Sequence, residues 1–307
     1  MTQERKVGQP LDRVGNLVSV AWLSRHLGRD DLVVADCRFA LDDPEAGRRA
    51  YERDHIPGAV YFDLEKDLSR PVSPASDPSG GPGSGGGRHP LPSVEEMAAL
   101  FGATGIGDGT IVICYDDHGG SMAARLWWML RYLGHRQVAL LDGGYTAWRA
   151  AGLPVTAEVP NPSPRTFIPR PQPHMIATMD EVRRASATGE AIIVDSRTPE
   201  RYRGDVEPID PVAGHIPGAI NLPWNGNLNE NGLFREPDQL THRFALLWQE
   251  AQKGKKDVIV HCGSGVTGCL NVLALERAGI PGARLFVGGW SEWCSHPENP
   301  IARGDRA

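Results

Sequence analysis

The sequence contains no run of about 18 consecutive apolar residues, the length that a transmembrane helix needs. Residues 1–16 are polar and lack the apolar core of an export signal. We therefore expect neither a membrane span nor a cleaved leader. The 307 residues are 40% hydrophobic and 23% charged, which is typical of a globular protein long enough for two domains.

Cysteine and positive charge are also scarce. The five cysteines are an odd number without the spacing of a disulfide framework, which favours a reducing, cytoplasmic location. The formal net charge is -6, so the chain has no basic excess of the kind that nucleic-acid binding requires. The composition therefore argues against a nucleic-acid partner, and the missing apolar runs argue against a membrane.

The chain contains an internal repeat. Residues 32–36 and 55–59 match residues 191–195 and 215–219, at offsets of 159 and 160. Further on, Asp116 matches Cys262 at an offset of 146, and residues 142–148 match 287–293 at an offset of 145. Four landmarks in one order indicate two copies of one domain. We place the copies at 14–150 and 178–301, joined by a proline-rich linker at 151–177.

Within each copy, short β-branched runs alternate with amphipathic segments. Thr178 and Glu181 have the spacing of a capping box that opens a helix. This alternation predicts an α/β fold in which each copy is a parallel sheet flanked by helices on both faces. Binding sites in such sheets lie beyond the carboxyl ends of the strands. A glycine-rich stretch at 71–87 is predicted to be a flexible insertion in the first copy.

A candidate nucleophile lies in the run Cys262-Gly263-Ser264-Gly265-Val266-Thr267-Gly268. The run follows the apolar residues 258–261 and precedes a helical pattern that extends to Ala278. Unpaired N–H groups at the helix N-terminus would stabilise a thiolate at Cys262. The small residues allow the loop to turn its amides inward. A buried, inert cysteine is the alternative interpretation.

The same loop can be compared with the loop of cysteine phosphatases. Those enzymes need an arginine six places after the cysteine, because the guanidinium binds the phosphate in a bidentate manner. In this chain Gly268 occupies that place. The sequence therefore argues against phosphatase activity.

These features together resemble the two-domain rhodanese-like sulfurtransferases. The resemblance extends from about Val14 to Ile301 and rests on both His-Ile-Pro-Gly-Ala segments, the helix that begins Arg125-Leu-Trp-Trp, and both Gly-Gly-aromatic turns. It implies tandem rhodanese-like domains of which only the second is catalytic, and Asp116 at the place of Cys262 fits that expectation. It further implies a Cys262 persulfide intermediate and neither a metal nor an organic cofactor.

The amino-acid sequence of the loop indicates a sulfur donor. The loop Cys-Gly-Ser-Gly-Val-Thr is similar to the loop of the family branch that uses 3-mercaptopyruvate. The animal thiosulfate enzymes have a loop that resembles Cys-Arg-Lys-Gly-Val-Thr. The resemblance implies 3-mercaptopyruvate as donor, with thiosulfate as the alternative, and a small thiol, cyanide or a thioredoxin-like protein as acceptor. Gly263 and Ser264 stand where the loop of those thiosulfate enzymes has two cationic residues. The loss of these two charges should weaken thiosulfate binding. A persulfide carrier in a sulfur relay is a second hypothesis.

The resemblance also implies roles for single residues. Cys262, Ser264 and His55 are expected to be catalytic, with His55 moving a proton together with Ser264. A structural role for His55 is the alternative, because His215 holds the same place in the other copy. The expected substrate-binding residues are two arginines for the donor carboxylate and the rest of the loop: Arg197, Arg201, Gly263, Gly265, Val266, Thr267 and Gly268. Arginines paired with Asp195 are the alternative to carboxylate binding.

Overall fold

The computed structural model describes residues 14–72, 87–252 and 257–305. Most of the predicted glycine-rich insertion and of the N-terminal segment lie outside the described residues. The described chain forms two compact units. The first contains residues up to 68, 94–171 and 231–233, and the second contains the remainder. Residues 87–93, which the repeat assigns to the first copy, thus belong to the second unit.

The first unit is built on five parallel strands among the described residues, in the order β1-β5-β4-β2-β3. The strands are β1 (Leu17–Val18), β2 (Leu32–Asp36), β3 (Ala59–Tyr61), β4 (Ile111–Tyr115) and β5 (Val138–Leu141). The helices are α1 (Val20–His26), α2 (Ala46–Arg53), α3 (Val94–Ala103), α4 (Ala123–Tyr132) and α5 (Gly144–Ala150). Every strand pairing in this sheet is parallel.

The second unit has a parallel sheet in the order β7-β6-β8-β9 within the described chain. Its strands are β6 (Ala191–Asp195), β7 (Ile220–Asn221), β8 (Asp257–His261) and β9 (Arg284–Leu285). Its helices are α6 (Met179–Thr188), α7 (Pro199–Arg203), α8 (Pro237–Arg243), α9 (Ala245–Gln252), α10 (Gly268–Arg277) and α11 (Gly289–Trp293), with short 3-10 helices at Pro173–Met175 and Trp224–Asn227. The predicted capping box of Thr178 and Glu181 opens α6.

The two cores use matching residues. Ile56 and Trp148 are fully buried in the first core, and Ile216 and Trp293, their counterparts in the repeat, are fully buried in the second. Because both faces of a parallel sheet are covered, the strands read as continuous apolar runs. The predicted tandem α/β fold with parallel sheets is confirmed. None of the helices within the described ranges is long and apolar enough to cross a membrane.

Candidate active site

The candidate nucleophile lies in the turn between β8 and α10. The side chain of Cys262 follows the last residue of β8 and is 2% exposed. Gly265 adopts a φ of +71°, and a Cβ placed there would lie 2.2 Å from the carbonyl oxygen of Val287. Any larger residue would therefore collide with backbone as well as strain the turn. This close approach packs the loop against the segment that leads into α11.

The start of α11 fixes the first residues of the loop. The backbone N–H of Trp290 donates to the carbonyl of Cys262 at 2.8 Å, and that of Ser291 donates to the carbonyl of Gly263 at 2.8 Å. In the first unit the N–H of Tyr145 donates to the carbonyl of Asp116 at the same 2.8 Å. The two units therefore hold their loops in the same way, whatever residue stands at the cysteine position.

The loop of the first unit shows what this backbone shape can bind. The carboxylate of Asp116 accepts four backbone N–H groups at 2.8–2.9 Å, from His118, Gly120, Met122 and Ala123. Burial raises the pKa of Asp116, and these four hydrogen bonds act to lower it. The first unit thus fills its own nest of amides with an internal carboxylate. In the second unit Cys262 stands at that place, where a sulfur anion would meet a loop of the same kind.

Ser264 has a histidine partner that the sequence did not indicate. Its Oγ lies 2.7 Å from Nδ1 of His89, and both side chains are buried. His89 belongs to residues 87–93 of the second unit, so this pair lies within one unit. The prediction that Ser264 pairs with His55 is therefore corrected: the partner in the structure is His89.

His55 instead closes a turn in the first unit. Its Nδ1 lies 2.7 Å from the carbonyl oxygen of Tyr51, and its Nε2 lies 3.1 Å from that of Glu158. Its repeat counterpart, His215, places Nδ1 2.7 Å from the carbonyl oxygen of Tyr202. Each histidine also stacks on that tyrosine, with ring centroids 4.0 and 3.8 Å apart. The same contacts in both units support the structural alternative for His55.

Arg197 is held by acidic side chains. Its guanidinium contacts Asp195 at 2.6 Å and Glu207 at 3.3 Å, and it lies 4.7 Å from the ring centroid of Trp290. Although burial acts to raise the pKa of Asp195, the charge and hydrogen bonds of Arg197 lower it to about 2. In the first unit Arg38 contacts Asp36 at 2.6 Å in the same way. The unit without the cysteine has this pair too, which supports the structural alternative for Arg197.

Arg201, by contrast, reaches the loop. Its guanidinium contacts Glu207 at 2.7 Å and Asp210 at 3.0 Å. Both of its terminal nitrogens would lie 3.6 Å from a Cβ placed on Gly263. Arg88, another residue that the sequence did not indicate, would have Nη2 2.9 Å from the same Cβ. Two guanidinium groups therefore border the residue next to Cys262.

The remaining predicted loop residues form the entry to α10. Val266 is buried, and α10 begins at Gly268 directly after Thr267. The carbonyls of Val266 and Thr267 accept from the N–H groups of Cys269 and Leu270, at 3.1 and 3.2 Å. These residues hold the loop amides at the N-terminus of an apolar helix.

His261, just before the cysteine, connects β8 to the buried ion pair. Its Nδ1 lies 3.1 Å from the carbonyl oxygen of Cys262, and its Nε2 lies 3.7 Å from the carboxylate of Asp195. Burial lowers the pKa of His261, and the charge of Asp195 acts against that shift. The corresponding Tyr115 of the first unit donates to Asp36 at 2.6 Å. This position therefore supports the ion pair in both units.

Comparison with known proteins matches this arrangement to a family. The rhodanese-like domain matches the chain twice, over residues 19–151 and 178–296. The chain belongs to the rhodanese-like family. Its two matches confirm the tandem copies that the repeat predicts.

Several members of that family are similar along nearly the whole chain. A Pseudomonas aeruginosa protein named "Probable 3-mercaptopyruvate sulfurtransferase" is 43% identical over 94% of this chain and 98% of its own. Human 3-mercaptopyruvate sulfurtransferase is 34% identical over 97% of this chain and 91% of its own. The crystal structure of the Escherichia coli 3-mercaptopyruvate enzyme SseA superposes with a TM-score of 0.74 and 31% identity, covering 91% of this chain and all of that one. A rat thiosulfate sulfurtransferase is 31% identical over 94% of this chain and 95% of its own.

Proposed function

We propose that the protein is a 3-mercaptopyruvate sulfurtransferase that carries the transferred sulfur as a persulfide on Cys262. The observation that supports this most directly is the hydrogen-bonded pair of Ser264 and His89. Ser264 lies two residues after Cys262, in the loop that follows β8. A thiol donor must lose a proton before or during transfer, and the pair offers a path for that proton.

In the first half-reaction the Cys262 thiolate attacks the sulfur of 3-mercaptopyruvate. An S–S bond forms, the C–S bond breaks, and its electron pair leaves with the carbon as the enolate of pyruvate. The enolate takes up a proton, and the Ser264–His89 pair is placed to return the one it removed from the donor thiol. The loop amides stabilise the sulfur anion, as the matching amides do for the carboxylate of Asp116.

In the second half-reaction an acceptor removes the outer sulfur. A thiolate attacks it, the new S–S bond forms on the acceptor, and Cys262 returns as a thiolate. Cyanide would give thiocyanate by the same step. We propose a small thiol or a thioredoxin-like protein as the acceptor. All five cysteines are free and buried in the described chain, which supports a reducing, cytoplasmic location.

Thiosulfate is a second candidate donor, and a specific observation favours it. Gly263 and Ser264 add no charge to the loop, yet the guanidinium groups of Arg88 and Arg201 border Gly263. The expectation that the loop composition alone weakens thiosulfate binding therefore overlooks cations supplied from outside the loop. Under the persulfide-carrier hypothesis, Cys262 receives its sulfur from a desulfurase and passes it to a partner protein, and turnover of small donors is incidental.

The deciding experiment measures pyruvate release from 3-mercaptopyruvate and thiocyanate formation from thiosulfate with cyanide. We expect the wild type to release pyruvate and Cys262→Ser to lose both activities, with no persulfide detectable by mass spectrometry. Cys269→Ser is the matched control, because Cys269 is a fully buried thiol on α10 that should not accept sulfur. Activity retained in Cys262→Ser, or a wild type that releases no pyruvate, would contradict the proposal.

A further inference from the structure

Arg88 is held beside the nucleophile loop through its backbone. Its N–H donates to Oγ of Ser291 at 3.1 Å, and that hydroxyl donates to the carbonyl of Gly288 at 2.8 Å. The N–H of Ser291 in turn donates to the carbonyl of Gly263. One serine of α11 therefore fixes the position of Arg88 relative to the residue after the cysteine.

The side chain of Arg88 is anchored by a carboxylate that also binds Arg201. Nη1 of Arg88 forms an ion pair with Oδ1 of Asp210, and Nη2 of Arg201 contacts Oδ2 of the same carboxylate at 3.0 Å. The Asp210 side chain is 2% exposed, so its charge is well shielded from solvent. A buried carboxylate with two guanidinium partners orients both of them.

The anchoring leaves other guanidinium nitrogens next to the loop. The nitrogen of Arg88 nearest Gly263 is Nη2, whereas the ion pair uses Nη1. Nη1 of Arg201 also lies near Gly263, whereas its hydrogen bonds to Glu207 and Asp210 use Nε and Nη2. Both arginines thus place a guanidinium nitrogen near Gly263, the residue that follows Cys262. Asp210 and Glu207 orient the two guanidinium groups, which can bind an anion through directed, charge-assisted hydrogen bonds.

Gly263 and Arg88 compete for one volume. A Cβ at 263 would approach Nη2 of Arg88 to 2.9 Å, closer than real Cβ contacts, while Arg201 would remain at ordinary contact distance. Gly263 has no positive φ, so the turn itself does not demand glycine there. A side chain at 263 would therefore require the guanidinium of Arg88 to shift away from the loop.

From this geometry we infer that Arg88 is a specificity-determining residue that binds the anionic end of the sulfur donor, and that Gly263 is glycine to admit it. The inference rests on the proposed function. Arg88 and Arg201 together would bind the carboxylate of 3-mercaptopyruvate or the sulfonate-like end of thiosulfate. Thiosulfate carries two charges on a compact group, so it should depend on Arg88 more strongly than 3-mercaptopyruvate does.

The test compares Arg88→Ala and Arg88→Lys with the wild type, using both donors at a saturating acceptor concentration. We expect Arg88→Ala to raise the donor KM about 10- to 100-fold, with the larger change for thiosulfate, and to change kcat less than about threefold. Arg88→Lys should recover part of the loss, because it keeps the charge without the planar fork. Arg184→Ala is the matched control, since Arg184 is an exposed, ion-paired arginine of the same unit.

A double-mutant cycle tests the shared volume separately. Gly263→Ala should lower kcat/KM at least about tenfold in the wild type but less than about twofold when added to Arg88→Ala, because the clash is then gone. Additive effects would overturn the coupling of the two positions. If Arg88→Ala does not fold, calorimetry measures donor binding instead. It compares Cys262→Ser with the double variant that also carries Arg88→Lys.

The proposed function and the inference about Arg88 predict different failures. A wild type inactive with both donors would remove the proposed function. An active wild type whose donor KM values do not change in Arg88→Ala would remove the inference about Arg88 and leave the proposed function standing.

Discussion

Nδ1 of His89 lies 2.7 Å from Oγ of Ser264, and the two residues are 175 positions apart in the chain. His89 is 5% exposed and Ser264 is 4% exposed, so the hydrogen bond is shielded from bulk water. A shielded histidine–hydroxyl pair can pass a proton without competition from solvent. Ser264 lies two residues after Cys262, whose sulfur would carry the persulfide.

Replacing either member of this pair should slow the first half-reaction. We expect His89→Gln and Ser264→Ala each to lower the rate of pyruvate release about 100-fold or more, the usual contribution of a general acid or base. The double variant should be scarcely slower than either single one, because the two residues act as a unit. Single-turnover release of pyruvate over a range of pH measures this directly.

The pair makes a different demand on thiosulfate. That donor brings no thiol proton, so persulfide formation from it should be much less sensitive to His89→Gln. Equal losses with both donors would indicate that His89 merely holds the loop in place. Unchanged pyruvate release would exclude a role in proton transfer.

His55 provides the matched comparison. His55→Gln should lower stability by about 1–3 kcal/mol, because it removes a buried group that contacts two carbonyls. His215→Gln should cost a similar amount, since its contact with Tyr202 repeats that of His55 with Tyr51. Urea titrations measure both losses. Per folded molecule, we expect His55→Gln to release pyruvate at least about tenfold faster than His89→Gln. Equal rates in the two variants would restore His55 as a catalytic candidate.

Asp116 should be a major stabilising residue of the first unit. Asp116→Ala would leave three buried N–H groups and one partly buried N–H group without an acceptor, each buried one costing about 1–3 kcal/mol. We expect a loss of at least about 4 kcal/mol in the unfolding of that unit. Asp117→Ala is the control, because the neighbouring Asp117 is partly exposed and its carboxylate contacts the exposed ring of His118. A loss equal to that of the control would mean that other groups satisfy the nest.

The repeat allowed the fold to be predicted because it rests on local signals. Strands with β-branched residues and the paired His-Ile-Pro-Gly-Ala segments recur in both units, and Ile56 and Ile216 fill matching places in the two cores. The position of Cys262 beyond β8 followed from the same reasoning, because parallel strands end at one edge of the sheet.

The partner of Ser264 could not be found in this way. Residues 87–93 lie outside the four landmarks of the repeat, so those landmarks say nothing about His89 or Arg88. Their contacts with α11 and the loop join residues that are far apart in the chain. Such contacts produce no periodic pattern in the sequence. A sequence signal did exist, namely an Arg-His pair directly after the glycine-rich stretch, but only the structure gives it meaning.

Arg197 illustrates the opposite error. An arginine after a strand near the nucleophile suggests carboxylate binding, yet its pairing with Asp195 repeats that of Arg38 with Asp36. The repeat already contained this information, because both pairs have the same spacing after matching strands. Comparison with the unit that lacks the cysteine therefore separates structural residues from candidates for chemistry.

The Asp195–Arg197 pair should make the stability of the second unit depend on acid pH. The pair lowers the pKa of Asp195 from an ordinary value near 3.8 to about 2, so the folded state binds this proton less readily than the unfolded state. The stabilisation is fully present above about pH 4 and is lost as the pH falls through about 2. It amounts to about 2 kcal/mol for this single, fully buried group.

The measurement is the free energy of unfolding of the second unit between pH 6 and pH 2, for the wild type and for Asp195→Asn. We expect Asp195→Asn to be less stable at pH 6, because Arg197 loses its charged partner, and to show a shallower decline below pH 4. Asp180→Asn is the control, since the Asp180 side chain is 86% exposed and its contact with Arg183 is open to solvent. It should follow the wild-type curve within about 0.5 kcal/mol. A decline below pH 4 as steep in Asp195→Asn as in the wild type would assign acid sensitivity to other carboxylates.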